Sequence, residues 1–476
     1  MARAFVTGVN GFIGSHLAFE LLRRGDEVTG LVRPTSDLRA VLPLFERYGS
    51  RLRLTEGDLR TGAGLEAGLE GVDYVYHLAA VVMGVSADEF RSAIVTGTRN
   101  LLDAVERVAR PRLKRFLYFS SQAATGPQPS ATPIDETVVL KPVSWYGTAK
   151  RDAEEVVRGF GARGIPFTII RPVGVYGERE KDISGGTFGL VAAGLQPRVG
   201  FKKKVVSMVY VGDVVDLAIT AAQAPNGEGK VYFAADRRPI TQVELVAGIA
   251  DAMNQKVRIP MPTPAFLLPV VAQISEVVHA FTRERPALTR DKAREAGHQF
   301  WAAIPAAAGA DFGWQAKTTL VEGMRRAVAD WRTRKETAGR VTDEPFRERA
   351  IRAYLIATLL GAVNEIVAEI GHWYEFDPKW LIFPVIAAYG VAFGGWALTS
   401  ARWGYVVQFL GGAVIFMAAE LSNYFWLHFW EFAPEPFGGL PVPWVRALVL
   451  AVPIGLLPVV TNLISCAIYR YRLRVG

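Results

Sequence analysis

The chain has 476 residues, half of them hydrophobic, a formal net charge of +8 and a single cysteine, Cys466. That length argues for more than one domain, and one cysteine rules out an internal disulfide or a cysteine metal cage. The basic residues form no run with interleaved aromatics, so no nucleic-acid partner is expected, and no basic-then-apolar leader opens the chain.

The first strand, 3–7, ends at Thr7, and glycines follow at Gly8, Gly11 and Gly14 before a helical pattern opens at His16-Leu17-Ala18. In a strand–turn–helix this spacing gives each glycine a task. Gly8 allows the tight turn, Gly11 lets a pyrophosphate approach the backbone, and Gly14 lets the helix pack close to the strand. The helix N-terminus adds N–H donors and the positive end of its dipole. Asn10, Phe12 and Ile13 complete this candidate dinucleotide loop. Further strands are predicted at 27–32, 52–55, 73–78 and 115–120, with amphipathic helices between most of them. That alternation predicts an α/β fold with a doubly wound parallel sheet. A helix is predicted from Tyr146 to about Gly161, then a strand from Pro166 to Arg171. Shorter mixed elements from about 185 to 335 suit a small substrate-covering lobe, and the polar stretch 333–346 reads as a linker.

Beyond the linker the composition changes. No charged residue lies between Lys379 and Arg402, nor between Arg446 and Arg470. Each gap exceeds the ~18–20 residues that cross a hydrocarbon core. Two more apolar segments, about 350–371 and 403–428, make four expected spans with 380–400 and 445–468. Four crossings put Arg347, Arg349, Arg352, Arg402, Arg470, Arg472 and Arg474 on one side, with only Lys379 and Arg446 on the other. By the positive-inside rule, the N-terminal domain and the C-terminus are expected in the cytoplasm and residues 347–476 in the bilayer. Glu365, Glu369 and His372 share one helix face, and the third span carries Glu420, Asn423 and His428. Ionisable groups in spans suggest polar contacts or a polar site. One Glu369-x-x-His372 pair is too little to predict a metal, and no metal is expected.

The catalytic chemistry is expected near the middle of the first domain. Tyr146 and Lys150 stand four residues apart, on one helical face. A free tyrosine has a pKa of ~10 and needs a nearby cation to work as an acid–base near neutrality. Ser121 follows the strand at 115–120, at the sheet edge where doubly wound folds bind ligands.

With these residues in place, the chain resembles the extended short-chain dehydrogenases/reductases over about residues 1–335, with a nucleotide-binding core of about 1–180 and a substrate lobe of about 181–332. Gly8/Gly11/Gly14 matches that family's nucleotide motif. Gly57-Asp58-Leu59 resembles the segment whose acid contacts the adenine, and His77-Leu78-Ala79-Ala80 the strand beneath the cofactor. Ser121, five residues before Gly126, falls with Tyr146 and Lys150 on the catalytic positions. Arg171-Pro172-Val173-Gly174-Val175-Tyr176-Gly177 resembles the loop that closes over the nicotinamide.

The resemblance implies that Tyr146 exchanges a proton with the substrate oxygen. It implies that Lys150 holds the nicotinamide ribose and lowers the tyrosine pKa, and that Ser121 orients the reacting group. Ile94 stands where the family often has asparagine, which leaves an asparagine-dependent water relay without its residue. The second strand ends in Val32-Arg33 with no carboxylate for a ribose hydroxyl; Arg33 suits a 2′-phosphate, so NADP(H) is expected over NAD(H).

Leu31-Val32-Arg33-Pro34-Thr35-Ser36 and Phe312-Gly313-Trp314 place the chain nearest the 3β-hydroxysteroid dehydrogenase and dihydroflavonol-reductase-like branches. The leading expectation is a membrane-anchored oxidoreductase of a lipophilic, sterol- or terpenoid-like alcohol or ketone. An apolar helix over Pro264–Phe281 would meet the membrane surface, line a greasy pocket or serve as an ordinary core helix. The alternatives are a nucleotide-sugar epimerase or dehydratase, with Lys202-Lys203-Lys204 near a substrate diphosphate, and an NADP(H)-sensing membrane scaffold. A homodimer is a family-level expectation only.

Overall fold

The computed structural model describes residues 1–341, apart from 181, 193, 258, 264, 266–267, 283–285 and 287. Its framework is a seven-stranded parallel sheet. The strands are β1 (Arg3–Thr7), β2 (Glu27–Val32), β3 (Leu52–Glu56), β4 (Tyr74–His77), β5 (Arg115–Phe119), β6 (Phe167–Pro172) and β7 (Val231–Ala234). Their order across the sheet is β7-β6-β5-β4-β1-β2-β3. The chain moves outward from β1 through β2 and β3, then returns to the other side of β1 for β4, β5 and β6. This reversal opens a crevice beyond the carboxyl ends of β1 and β4, where doubly wound sheets hold ligands.

The central strands are apolar along their whole length because helices cover both faces. All five residues of β5 are buried, and so are Ala4, Phe5, Val6 and Thr7 of β1. One core lies on the side of helix α1 (Phe12–Arg23), with Leu17, Ala18, Leu21 and Leu22 packed under β1 and β2. A second lies on the side of α2 (Trp145–Ala162), where Ala149, Ala153, Val157 and Phe160 meet Phe116 and Ile169. The i, i+4, i+8 spacing of the α2 residues forms the apolar stripe that fixes its face.

The segment expected to form a substrate lobe is built from short pairings. Leu195–Val199 runs parallel to Ile259–Thr263, and Val205–Val206 lies between Ile240–Thr241 and Phe300–Trp301. Its core gathers Tyr176, Phe188, Met208, Tyr210, Ile249 and Met324. Helices α3 (Leu268–Thr282) and α4 (Arg290–Gly297) pack together through Leu268, Ala272 and Ala293. The apolar helix expected from Pro264 thus starts at Leu268, because the chain before it is held extended against Leu195–Val199 through Thr263. No described residue of α3 lines the cleft at the carboxyl edge of the sheet.

The linker expected at 333–346 is helical as far as the description reaches: α5 runs Leu320–Val341. Its turn at Arg334 is tied down by an ion pair to Asp330 at 2.8 Å and by donation to the Glu180 carbonyl at 2.9 Å. An i, i+4 pair and a carbonyl contact sustain a polar helix where apolar periodicity fades.

Among the described residues no helix is long and apolar enough to cross a membrane. The four expected spans, with Glu365, Glu369, His372, Glu420, Asn423 and His428, lie outside the described residues.

Candidate active site

A cleft of about 500 Å³ opens at the carboxyl edge of the sheet. Its floor is the turn after β1. Gly8 has φ +70°, a backbone conformation that suits glycine, and its carbonyl accepts from Gly11 N at 2.9 Å. A Cβ on Gly14 would stand 2.1 Å from the Gly8 oxygen, so α1 approaches the turn closer than any side chain would allow. The N-terminus of α1 has no side-chain cap and no acid in its first turn. Its free N–H groups and dipole therefore face the cleft unneutralised, which fits a pyrophosphate.

Every residue expected from the sequence to act in catalysis or to touch a cofactor lines this cleft. Asn10, Gly11, Phe12 and Ile13 come with the first turn, Arg33 from the end of β2, and Asp58 and Leu59 from the end of β3. Leu78, Ala79 and Ala80 follow β4, Ser121 follows β5, Tyr146 and Lys150 project from α2, Pro172 ends β6 and Val173 follows it. Arg33 is exposed, and its backbone N–H donates to Ser36 Oγ at 2.9 Å. Asp58 is partly spoken for, since one carboxylate oxygen accepts from Arg60 N at 2.8 Å.

The two neighbouring serines have separate tasks. Ser120 is buried and donates its hydroxyl to Glu154 at 2.6 Å. Ser121 is half-buried, and its Oγ accepts from Ala123 N at 3.1 Å. The hydroxyl hydrogen of Ser121 is thereby left to donate into the cleft.

Lys150 is buried and donates to the Phe119 carbonyl at 2.6 Å. Its Nζ lies 5.1 Å from the Tyr118 ring and 5.9 Å from the Tyr146 ring. Burial pushes the ammonium down to about 7, with the Glu154 carboxylate acting in the opposite direction. One turn beyond Lys150, Glu154 takes both Nε and Nη2 of Arg171 at 2.8 and 2.7 Å. This buried fork ties the end of β6 to α2. A buried ion pair carries a desolvation cost, so its contribution is better assigned to position than to stability.

Beneath the cleft, Thr7 Oγ1 accepts from Leu78 N at 3.2 Å and Ala79 N at 3.1 Å. Its hydrogen is then directed to His77 Nδ1, 2.7 Å away. That leaves Nε2–H of His77 to donate to Thr98 at 3.0 Å, which fixes a neutral tautomer. Burial, followed by the Lys150 charge, lowers His77 to about 3. Ile94 is buried in the cluster that contains Phe90 and Tyr146, so an aliphatic side chain fills the place of the family's asparagine.

Sequence reasoning missed several lining residues. Val81, Val82 and Ala93 join Val175 of the expected nicotinamide segment in an aliphatic wall, and Ser36 and Arg60 add polar groups beside Arg33 and Asp58. Proximity to the glycine, Asp58 and Ala80 motifs was the available signal. Lys202 and Lys203 are exposed, and no residue of the lysine triplet lines the cleft. Among the described residues no group of three or more His, Cys, Asp or Glu could hold a metal ion.

Comparison with known proteins agrees with this geometry. The model of the NAD dependent epimerase/dehydratase family matches residues 4–235. A 3-beta-hydroxysteroid dehydrogenase of Mycolicibacterium neoaurum is 29% identical over 272 residues, which is 54% of this chain and 71% of that protein. A 3 beta-hydroxysteroid dehydrogenase/Delta 5→4-isomerase of Mycobacterium tuberculosis is 30% identical over 287 residues, 56% of this chain and 75% of that protein. The crystal structure of UDP-glucuronic acid 4-epimerase from Bacillus cereus in complex with NAD shares the fold. Its TM-score is 0.56 at 20% identity, covering 70% of this chain and 99% of that one.

Proposed function

The chain belongs to the NAD dependent epimerase/dehydratase family, the extended short-chain dehydrogenases/reductases, and on that premise we propose that it is an NADP(H)-dependent oxidoreductase acting on a secondary alcohol or ketone of a lipophilic molecule. It is an enzyme of the NAD(P)-dependent type; the substrate class, the NADP(H) preference and the membrane anchor are our reading. The observation that carries the substrate class is how side chains are distributed in the cleft. Arg33 and Arg60 follow β2 and β3, on one side of β1 in the sheet. The loops after β4 and β6, on the other side, bring Val81, Val82, Val173 and Val175 to the half that holds Ser121 and Tyr146. An aliphatic wall beside the proton-transfer group favours an apolar substrate, whereas a nucleotide sugar needs cations for its diphosphate. The two steroid-dehydrogenase relatives point the same way.

In this reading a bound dinucleotide supplies the hydride acceptor or donor. Its pyrophosphate would lie on the N-terminus of α1, its adenine beside Asp58 and Leu59, and its 2′-phosphate on Arg33. Leu78, Ala79 and Ala80 would pass beneath it, and Pro172 and Val173 would cover its nicotinamide. Tyr146 takes the substrate proton at its phenol oxygen in oxidation and returns it in reduction. Lys150 holds the ribose and favours the phenolate, and the Ser121 hydroxyl donates to the substrate oxygen. Glu154 keeps Lys150 and Arg171 in register.

The apolar segments from 347 onward would hold this catalytic unit at the cytoplasmic face of a bilayer. Absorbance of the reduced nicotinamide tests the proposal, with the purified full-length chain offered a lipid extract in one arm and nucleotide sugars in the other. A change with lipid that Tyr146→Phe abolishes supports it. Turnover of nucleotide sugars alone would replace it with the epimerase or dehydratase reading.

A further inference from the structure

The N-terminus of α2, which carries Tyr146, is held by the substrate lobe. Asp291 of α4 is 1% exposed and accepts from the backbone N–H of Trp145 at 2.6 Å and of Tyr146 at 3.1 Å. Glu295, one turn later, accepts from the Ser144 hydroxyl at 2.6 Å, while Ser144 Oγ accepts from Gly147 N at 2.9 Å. These contacts satisfy three N–H groups that a helix leaves open at its start. They account for the docking of α4 without any need for Lys292.

Lys292 nevertheless lies between those carboxylates in sequence and places Nζ 4.4 Å from the centre of the Tyr146 ring. It also donates to Glu295 at 2.8 Å, on a side chain only 23% exposed. Lys150, the cation expected to assist this tyrosine, is farther from the same ring, at 5.9 Å. An aliphatic residue would fill the place of Lys292 without the desolvation cost of an ammonium.

We propose that Lys292 is a second cation for Tyr146, delivered by the substrate lobe, so that the ammonium of α4 favours the phenolate against the carboxylates on either side of it. The proposal rests on Tyr146 being the acid–base group and makes the lobe part of the proton machinery. Lys292 acts through Tyr146 and is therefore a positioning residue.

The charges around the phenol set the sign. Its own helix contributes Lys150 and Glu154, β5 contributes the Tyr118 phenol, and α4 contributes Asp291, Lys292 and Glu295. The helical turn at Phe90 offers an aromatic edge at 5.9 Å. With Lys292 present, its charge, 4.4 Å from the ring centre, offsets one of the two carboxylates that α4 brings. Without it, both negative charges oppose formation of the phenolate. Lys292 keeps its own proton: burial works against the charge, but Glu295 and Tyr146 outweigh it and raise the ammonium above its ordinary value.

The test titrates the Tyr146 phenolate in the substrate-free full-length chain by near-ultraviolet absorbance, taking each protein's difference from its Tyr146→Phe derivative. Lys292→Met should move that titration upward by about one pH unit, the low end for loss of a nearby opposite charge. Lys292→Arg should restore it most of the way. The pH at which kcat/KM for alcohol oxidation rises should move with the titration. Glu295→Gln removes the negative charge while its one amide oxygen can still accept from Lys292 and its NH2 can donate to Ser144 Oγ, and it should move the titration downward. An unchanged titration in Lys292→Met, or an unchanged or upward one in Glu295→Gln, would overturn the proposal. Full turnover by Tyr146→Phe would instead overturn the acid–base reading on which it rests, a failure that the substrate-free titration separates from a failure of Lys292.

Discussion

Gly14→Ala is the sharpest probe of the nucleotide turn. The new methyl carbon would stand 2.1 Å from the Gly8 carbonyl oxygen and 2.8 Å from its carbon, and both neighbours are backbone. Restoring an ordinary contact requires α1 to retreat by about 1 Å, and such overpacking costs roughly 1–3 kcal/mol of stability. The same retreat carries the N-terminal N–H groups of α1 away from the pyrophosphate. A charge-assisted hydrogen bond is worth about 1.5–3 kcal/mol, so losing most of one raises the cofactor Kd about 10- to 100-fold. Calorimetric binding of NADP(H) to the full-length chain measures this, with thermal unfolding in parallel to confirm a folded variant. Gly159→Ala on α2 is the control, because a Cβ there meets nothing within 4 Å. It should leave cofactor affinity alone and stabilise the protein by about 0.5–1 kcal/mol, as alanine does inside a helix. A folded Gly14→Ala protein that binds cofactor like the parent would refute the placement of the pyrophosphate on this turn.

Three further outcomes are expected. Arg33→Ala should weaken NADP(H) about 10-fold or more while changing NAD(H) affinity little, since only the former loses a charge-assisted phosphate contact; equal losses for both would remove the discriminating role. Acid should destabilise the protein above the carboxylate range. Burial holds native His77 at about 3, and burial with the Arg179 charge holds His16 at about 4. Unfolded histidines take up protons near ~6.5, so the unfolded state binds more protons below that pH and stability falls as pH drops. Between pH 6.5 and 5 the urea midpoint should register a loss of about 3 kcal/mol, and a flat midpoint would contradict the buried neutral imidazoles. Glu154→Gln should lower turnover more than it lowers cofactor affinity, because it frees Arg171 and withdraws the charge opposing the burial of Lys150; parent-like kinetics would assign the fork to packing alone.

How much of this was legible in the sequence depended on distance along the chain. The sheet strands are short apolar runs bounded by turns, and β1 and β2 have the expected bounds of 3–7 and 27–32. The cleft was legible because its parts follow strand ends or share one helical face, so Ser121 and the Tyr146/Lys150 pair needed no knowledge of tertiary packing. What escaped was set by packing between remote segments. Nothing near Tyr146 signals that Asp291 caps its helix from 145 residues away. Arg171 reads as part of a loop motif, and only the fold makes it the buried partner of Glu154. The helix through 333–341 escaped because its periodic apolar residues end at Trp331, while its continuation rests on Arg334 contacts to Asp330 and Glu180. The apolar helix after 264 was misplaced at its start because strand pairing of Ile259–Thr263 overrides local apolar character.

The central claim is net hydride exchange with a lipophilic carbonyl or alcohol under control of Tyr146. Its most direct test supplies the full-length chain with NADPH deuterated at the transferable position and a lipid extract, then reads the lipids by mass spectrometry. One deuterium is expected on a secondary carbinol carbon of an extractable lipid, and none with Tyr146→Phe. No label in any lipid, from a protein that binds NADPH normally and interconverts nucleotide sugars, would contradict it.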